Sequence, residues 1–382
     1  MNRIFIKESI MRKRQVAKML ATSLVILTLS LVVLISKKQN LFAHKSLTKK
    51  FSTFKDMSSY VTVNDFGVVL YSTKDEISRA TVEYIALNVP KSHCSDKKII
   101  RLGRLVRYPG AQATILICHG FMCDKFDVGF LRHMFPAGKF NFMTFDFRAH
   151  GEHCEGQRCT LGRDEALDVI TAAHFLKEHP QLKQKPIIAY GFSMGAVASI
   201  EAQAQDNSLF KAMILDCPFD SSENMIKRSL EQLQFTLLGY DFTIPVCNLL
   251  QKYAFHPYVQ TLIRGILKTV SNFDTKNIDI RVYPIFPSES IQKITVPCFF
   301  IHCKNDEKIS IAAVKSLYES AGTLHKQLWL TNGRRHFDSY FYNPEKYIKE
   351  IRNFMERIVS NENEKYQWQQ IIEDPDELLA RI

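Results

Sequence analysis

Apolar runs of strand length alternate with helix-length segments through most of this 382-residue chain. The runs occupy 113–119, 140–147, 186–191, 211–217, 296–303 and 326–331. Helical patterns separate or follow them at 164–179, 195–205, 309–322 and 344–359. Strands that are apolar throughout are typical of a parallel sheet with both faces covered. The alternation therefore predicts an α/β fold with a mostly parallel central sheet and helices on both faces.

Two regions of the chain depart from this alternation. Residues 58–108 carry short alternating runs, which indicate antiparallel strands. Residues 218–291 separate two strands by about 70 residues, too many for a simple crossover, and are rich in Phe, Leu and Tyr. We interpret them as a partly helical cap inserted over the carboxyl edge of the sheet. The predicted domain spans 58–358, and residues 359–382 are predicted to form a polar tail.

The net charge of +11 is concentrated at the amino terminus. Residues 1–55 contain 12 Lys and Arg and one acidic residue, Glu8, whereas the rest of the chain contains 38 basic and 38 acidic residues. A nucleic-acid-binding domain needs a basic face on its folded body. The neutral body therefore argues against a nucleic-acid partner.

Residues 19–36 form an uninterrupted uncharged segment between basic flanks. Eighteen helical residues span about 27 Å, just enough to cross the core of a bilayer. The segment lacks the small-residue exit that is typical of a cleaved signal peptide. We predict an uncleaved single-pass membrane anchor within an anchor and linker of residues 1–57, with a signal peptide and a buried core helix as alternatives. Basic residues lie on both flanks, so the side of the membrane stays open.

The sequence GFSMG joins the apolar run 186–191 to the helical pattern 195–205. Such a strand–turn–helix junction is typical of a nucleophile elbow, a strained turn that exposes a serine hydroxyl above the sheet. It makes Ser193 the candidate nucleophile. Gly191 and Gly195 are expected to be glycine because a side chain at either position would collide with a neighbouring strand or helix.

A serine nucleophile needs a base, and the base needs an acid that orients it. In this architecture the acid and then the histidine each follow a later strand. Asp306 follows the run 296–303 and His336 follows the run 326–331, so both are candidates in the expected order. Asp216 and Asp220 are the rival acids, although Asp216 also suits a structural role at the end of its strand.

Acyl transfer also requires donors for the oxyanion. The backbone N–H of Met194 follows the nucleophile, and the loop after an earlier strand supplies a second donor in this architecture. His119 and Gly120 close that strand, which makes the N–H of Phe121 the second candidate. Both residues would act through their backbones.

Six stretches together resemble the α/β-hydrolase superfamily, namely HGF (119–121), DFRAHG (146–151), GFSMG (191–195), DCPF (216–219), HCKND (302–306) and RRHFDSY (334–340). The chain is similar to serine-aminopeptidase, monoacylglycerol-lipase-like and prolyl-oligopeptidase-related members over residues 80–358. The resemblance implies hydrolysis of an ester, thioester or amide through a serine acyl-enzyme, with no metal and no cofactor. Ala149 replaces a glycine that the family often carries in the DFRAHG stretch, which puts little in doubt about catalysis.

The chain has nine cysteines, an odd number without the spacing of a small disulfide scaffold. Four of them lie in or beside apolar runs and are expected to be buried: Cys118, Cys217, Cys298 and Cys303. The segment HGEHCEGQRC concentrates His150, His153, Cys154 and Cys159, but its spacing matches no recognised zinc motif. A Cys154–Cys159 disulfide and unlinked loop thiols both remain open, and no metal site is predicted.

These observations predict a membrane-anchored serine hydrolase that acts on a small-molecule or lipid acyl substrate. A carboxylesterase or lipase-like activity fits the apolar cap and the anchor best. The alternatives are a serine peptidase of the aminopeptidase type and a non-catalytic interaction protein on the same fold, because a fold does not prove an activity.

Overall fold

A computed structural model describes residues 61–75, 79–231, 234–237, 240–243, 253, 255–261, 278–360, 368 and 370–375. The chain divides into two compact units. One comprises residues 60–255 and 276–382 and contains every candidate site residue. The other comprises 1–59 and 256–275, and its described part, 256–261, contains a helical turn. The predicted anchor and linker lie outside the described residues.

The first unit is built on a large twisted sheet. Its strands, with those of a separate hairpin, are β1 (Val61–Asn64), β2 (Gly67–Asp75), β3 (Ala80–Pro90), β4 (Lys98–Arg107), β5 (Ala113–Cys118), β6 (Phe140–Phe145), β7 (Ile187–Phe192), β8 (Ala212–Asp216), β9 (Gln234–Leu237), β10 (Tyr240–Thr243), β11 (Cys298–Cys303), β12 (Lys326–Thr331) and β13 (Gln370–Glu373). The order across the sheet is β1-β2-β3-β4-β6-β5-β7-β8-β11-β12-β13. Strands β1 to β4 and the β4–β6 pair are antiparallel, and the other neighbours are parallel. The predicted mostly parallel sheet is therefore confirmed.

Helices cover both faces of this sheet. They are α1 (Glu165–Glu178), α2 (Met194–Gln205), α3 (Ser222–Glu231), α4 (Pro287–Ser290), α5 (Ile311–Ser320), α6 (Ser339–Tyr342) and α7 (Pro344–Ser360), with 3₁₀ turns at Gly129–Met134 and Ile291–Lys293. Alternate residues of one strand enter two separate cores: Leu116 packs in the core that contains α1 and α2, and Ile115 packs in the core that contains α7. Burial on both faces explains why β5 is apolar throughout.

Two described segments differ from the simple prediction. Within the insertion after β8, α3 is followed by the antiparallel strand pair β9–β10, whose segments QFTL and YDFT contain the aromatic and β-branched residues that strands favour. Within the predicted polar tail, residues 370–373 form the edge strand β13 beside β12, where Ile372 packs against the core. The indole Nε1–H of Trp329 donates to the Asp374 carboxylate at 3.0 Å and fixes that end.

Residues 19–36 are outside the described part of the chain. Among the helices that are described, none combines the length and the apolar character that a bilayer crossing requires.

Candidate active site

Ser193 occupies a strained turn between β7 and α2. Its φ of 49° and ψ of −112° fall outside the regions that ordinary residues adopt. The flanking glycines leave no room for a side chain: a Cβ on Gly191 would lie 2.5 Å from the Ala196 Cα, and one on Gly195 would lie 2.2 Å from the Cys118 carbonyl oxygen. Close packing of strand, turn and helix therefore holds the serine above the sheet.

His336 lies in the loop between β12 and α6 and faces Ser193. Its Nε2 is 2.9 Å from the Ser193 Oγ, and its Nδ1 is 2.7 Å from the Asp306 Oδ2. Asp306 lies in the turn after β11. Residues separated by 143 positions in the chain thus form one hydrogen-bonded row, because the carboxyl ends of parallel strands share one edge of the sheet.

The Asp306 carboxylate is held by its own turn as well as by the histidine. Its Oδ1 accepts the backbone N–H groups of Lys308 at 2.8 Å and Ile309 at 3.0 Å. Burial raises the pKa of this carboxyl, but the hydrogen bonds from His336 and Ile309 outweigh burial and bring the pKa below its ordinary value. Asp306 is therefore ionised at neutral pH and presents a fixed negative charge to the imidazole.

The two rival acids have other partners. The buried Asp216 accepts the hydroxyl of Tyr347 at 2.6 Å. Asp220 accepts the side-chain amide of Asn224 at 2.7 Å. Across the described residues, neither carboxylate shares a hydrogen bond with His336.

The two candidate oxyanion donors flank the serine. Within the described part of the chain, the backbone N–H groups of Phe121 and Met194 donate no hydrogen bond. A Cβ built on Gly120 would lie 3.8 Å from the Ser193 Cβ, so the loop that carries Phe121 borders the elbow directly. Two uncommitted donors beside a serine hydroxyl can stabilise negative charge that develops on a carbonyl oxygen.

His119 is a supporting residue that the sequence did not single out for such a role. Its ring accepts the Phe147 N–H at Nε2, 3.0 Å away, so Nδ1 carries the proton and donates to the Gly120 carbonyl at 2.7 Å. Burial is the main factor that lowers the pKa of His119, to about 3, which keeps the ring neutral. This buried ring therefore connects the Phe121 loop to the loop that follows β6. The His-Gly pair at the end of β5 was the sequence signal that could have indicated this role.

A buried hydroxyl network under the elbow was not predictable. Asp216 bonds to Tyr347, whose hydroxyl lies 2.5 Å from the hydroxyl of Tyr190. The Ser193 N–H donates to the Asp216 backbone carbonyl at 2.8 Å, so the network adjoins the candidate nucleophile. Burial raises the pKa of Asp216 to about 6. Tyr347 is 131 residues from Asp216, and no local pattern links them.

The segment rich in His and Cys after β6 is organised by one buried arginine. The Arg101 guanidinium donates to the backbone carbonyls of Asp146, His150, Glu152 and His153 and to the Gln157 side chain. Cys154 and Cys159 are free thiols in this structure. The Cys159 Sγ lies 3.5 Å from the Met194 Sδ, so this thiol packs beneath the elbow. The segment thus supports the site from below.

Comparison with known proteins gives a family context to this geometry. The family model of the serine aminopeptidases, S33, matches residues 109–243. The uncharacterized protein YqkD of Bacillus subtilis is 26% identical over 321 residues, which cover 83% of this chain and 92% of that protein. The protein bem46 of Schizosaccharomyces pombe is 28% identical over 121 residues, covering 31% of this chain and 39% of that protein.

A solved structure shares the fold. The esterase Pf2001 of Pyrococcus furiosus superposes with a TM-score of 0.51 at 21% identity, over 72% of this chain and 93% of that one. The shared sheet architecture and the family match support the resemblance to the α/β-hydrolase superfamily that the motifs of this chain predicted. The matched range 109–243 includes the Phe121 loop and the Ser193 elbow but neither Asp306 nor His336.

Proposed function

We propose that this protein is a serine hydrolase that cleaves a carboxylic ester through an acyl-enzyme on Ser193. The observation that carries the proposal is the row of contacts from Ser193 Oγ to His336 Nε2 at 2.9 Å and from His336 Nδ1 to Asp306 at 2.7 Å. Such a row supplies a nucleophile, a base and an orienting carboxylate in one hydrogen-bonded unit.

In the proposed reaction, the Ser193 oxygen attacks the acyl carbonyl carbon while its proton passes to His336 Nε2. Asp306 stabilises the imidazolium through Nδ1–H. The carbonyl oxygen becomes an oxyanion that accepts the N–H groups of Phe121 and Met194. The tetrahedral intermediate expels the alcohol, which takes the proton from Nε2. Water then attacks the acyl-serine by the same sequence and releases the carboxylic acid and the free serine.

We choose an ester over an amide because the predicted anchor and the apolar residues of the insertion at 218–291 suit a lipid-like acyl substrate. An esterase is among the proteins that share the fold. A serine aminopeptidase is the second candidate, because the family model that matches the elbow carries that description. Esters and amides are separated by a direct comparison of p-nitrophenyl esters of graded chain length with aminoacyl p-nitroanilides.

The proposal includes membrane attachment through residues 19–36, whose 18 uncharged residues are long enough to span a bilayer core. Deletion of residues 1–40 should release the protein from membranes and leave hydrolysis of short soluble esters intact. Truncated protein that still sediments with membranes after a carbonate wash contradicts the anchor. Folded truncated protein without activity contradicts the separation of the anchor from catalysis.

The central test is covalent labelling of the full-length protein in detergent with a fluorophosphonate probe. We expect the label on Ser193, and we expect the variant Ser193→Ala to lose both labelling and ester hydrolysis. Ser199→Ala is the matched control, since this buried serine lies on α2 and its hydroxyl donates to the Gly195 carbonyl at 2.7 Å. Folded wild-type protein without label and without turnover would favour a non-catalytic interaction protein.

A further inference from the structure

Three side chains with different donor atoms converge behind the proposed base. Cys217, Asp306 and His336 each offer one ligand atom, and these atoms lie within 4.8 Å of one another. Asp306 and His336 belong to the proposed triad, whereas Cys217 has no part in the proposed reaction. Among the described residues, this is the one group of three or more His, Cys, Asp or Glu side chains whose ligand atoms lie so close together.

Sulfur, imidazole nitrogen and carboxylate oxygen are the ligands that Zn²⁺ takes in proteins. Zinc–ligand bonds of about 2.0–2.3 Å place two ligand atoms on one tetrahedral ion about 3.3–3.8 Å apart. The limit of 4.8 Å exceeds this range by about 1.0–1.5 Å, so small side-chain shifts suffice for the three atoms to share an ion. Three protein ligands with a fourth position for water is a common arrangement at zinc.

We propose that Cys217, Asp306 and His336 form a binding site for a thiophilic divalent cation such as Zn²⁺, and that the bound cation inhibits the hydrolase. The inhibition, though not the site, rests on the proposed function. The Cys217 thiol loses its proton to solvent when sulfur binds the metal, because the thiolate is the ligand. No oxidation or reduction takes part.

The position of the two ring nitrogens explains why the cation would inhibit. His336 Nδ1 faces Asp306 at 2.7 Å, so it is the nitrogen on the side of the proposed ligands. A metal on Nδ1 places the ring proton on Nε2, which faces the Ser193 Oγ at 2.9 Å. An Nε2–H cannot accept the serine proton. The nucleophile would remain accessible but would lack a base.

Cys217 is placed to provide the soft ligand. It follows directly after β8 with a φ of 52°, and its side chain is buried. Its Sγ lies 3.1 Å from the Asp216 Oδ1, at the same strand edge as the turn that carries Asp306. The His336 side chain is 16% exposed, whereas the Asp306 side chain is fully buried. A cation would therefore enter past the imidazole, and we expect inhibition to develop slowly.

The first experiment measures ester hydrolysis by the full-length protein in detergent against buffered free Zn²⁺. Cys217→Ala should raise the half-inhibitory Zn²⁺ concentration by at least about tenfold over wild type. The matched control is Cys298→Ala. Cys298 is equally buried, but it begins β11, whereas Asp306 follows the opposite end of that strand. Equal sensitivity of the three proteins would overturn the proposal. Cys217→Ser replaces the thiol with a hydroxyl of similar size and serves if Cys217→Ala does not fold.

The second experiment measures binding without any activity. Co²⁺ is added to Ser193→Ala, and a thiolate-to-cobalt charge-transfer band is expected in the near ultraviolet. The band should vanish in Ser193→Ala/Cys217→Ala and persist in Ser193→Ala/Cys298→Ala. Lack of the band in Ser193→Ala, or its persistence without Cys217, overturns the site. A cobalt band in Ser193→Ala, combined with a folded wild-type protein that hydrolyses no ester, upholds the site and contradicts the proposed function alone.

Discussion

Ser193 and the Asp306–His336 pair are held at the same sheet edge by different means. The serine is fixed by backbone geometry, through a strained φ of 49° and two glycines whose Cβ positions are already filled by neighbouring atoms. The acid and the base lie in loops and are fixed by side-chain hydrogen bonds. The two regions should therefore respond differently to substitution. Changes beside the serine should affect folding, whereas changes at the acid–base pair should affect the chemistry.

The largest effect is expected at the acid–base pair. His336→Ala and Asp306→Asn should each lower kcat for a p-nitrophenyl ester by about 10⁴-fold or more, because residues of a triad act as one unit. The free energy of unfolding, measured by urea titration, should change little for His336→Ala. Adding either change to Ser193→Ala should cost nothing further. If Asp306→Asn is nearly silent while Asp216→Asn or Asp220→Asn is severe, the acid lies after β8 instead.

The next effect concerns the glycine at the start of α2. Gly195→Ala places a methyl 2.2 Å from the Cys118 carbonyl oxygen, so strand and helix must separate. We expect a loss of about 3 kcal/mol in the free energy of unfolding, measured by urea denaturation. Gly129→Ala is the control, since a Cβ there meets no atom within 4 Å. Wild-type stability of Gly195→Ala would show that the elbow is not closely packed.

The third effect depends on pH and tests the buried carboxyl beneath the elbow. Burial raises the pKa of Asp216 from 3.8 to about 6, so the folded chain holds this proton more tightly than the unfolded chain. The free energy of unfolding should therefore fall as the pH rises from about 4 to about 6, by about 2–3 kcal/mol from this group. Asp216→Asn should remove that part of the pH dependence. Identical pH slopes of wild type and variant would contradict the raised pKa.

The smallest effect concerns the helix that opens the insertion. The Arg228 guanidinium donates to the backbone carbonyls of Asp306 at 3.0 Å and Glu307 at 2.9 Å. Arg228→Ala should lower the free energy of unfolding by about 1 kcal/mol and kcat by less than about tenfold. The exposed neighbour Lys227→Ala is the control. A kcat loss comparable to that of Asp306→Asn would mean that α3, and not the turn after β11, positions the acid.

The candidate site follows from local signals. Ser193, Asp306 and His336 each lie just after an apolar run, and a parallel sheet brings the carboxyl ends of its strands to one edge. Strand and loop patterns therefore suffice to group them without any knowledge of contacts. The chemical role of each residue is a proposal that the kinetic measurements test.

Other parts of the molecule depend on contacts between distant positions. The Asp216–Tyr347–Tyr190 network joins three separate elements, and each tyrosine by itself is an ordinary apolar residue in its pattern. The strand at residues 370–373 is short and has only one core-packed residue, Ile372, so its pairing partner decides its structure. The paired strands at 234–237 and 240–243 lie in an aromatic-rich segment whose sequence fits helix and strand patterns equally well.

The 143 positions between Ser193 and His336 also set a delay during synthesis. A ribosome adds about 5–20 residues per second, so roughly 7–30 seconds separate the emergence of the serine from that of the histidine. In the proposed mechanism, a nascent chain in that interval lacks the base. Proteolytic fragments that end before His336 share the same condition. Under that mechanism, the chain becomes reactive only after most of its length has been made.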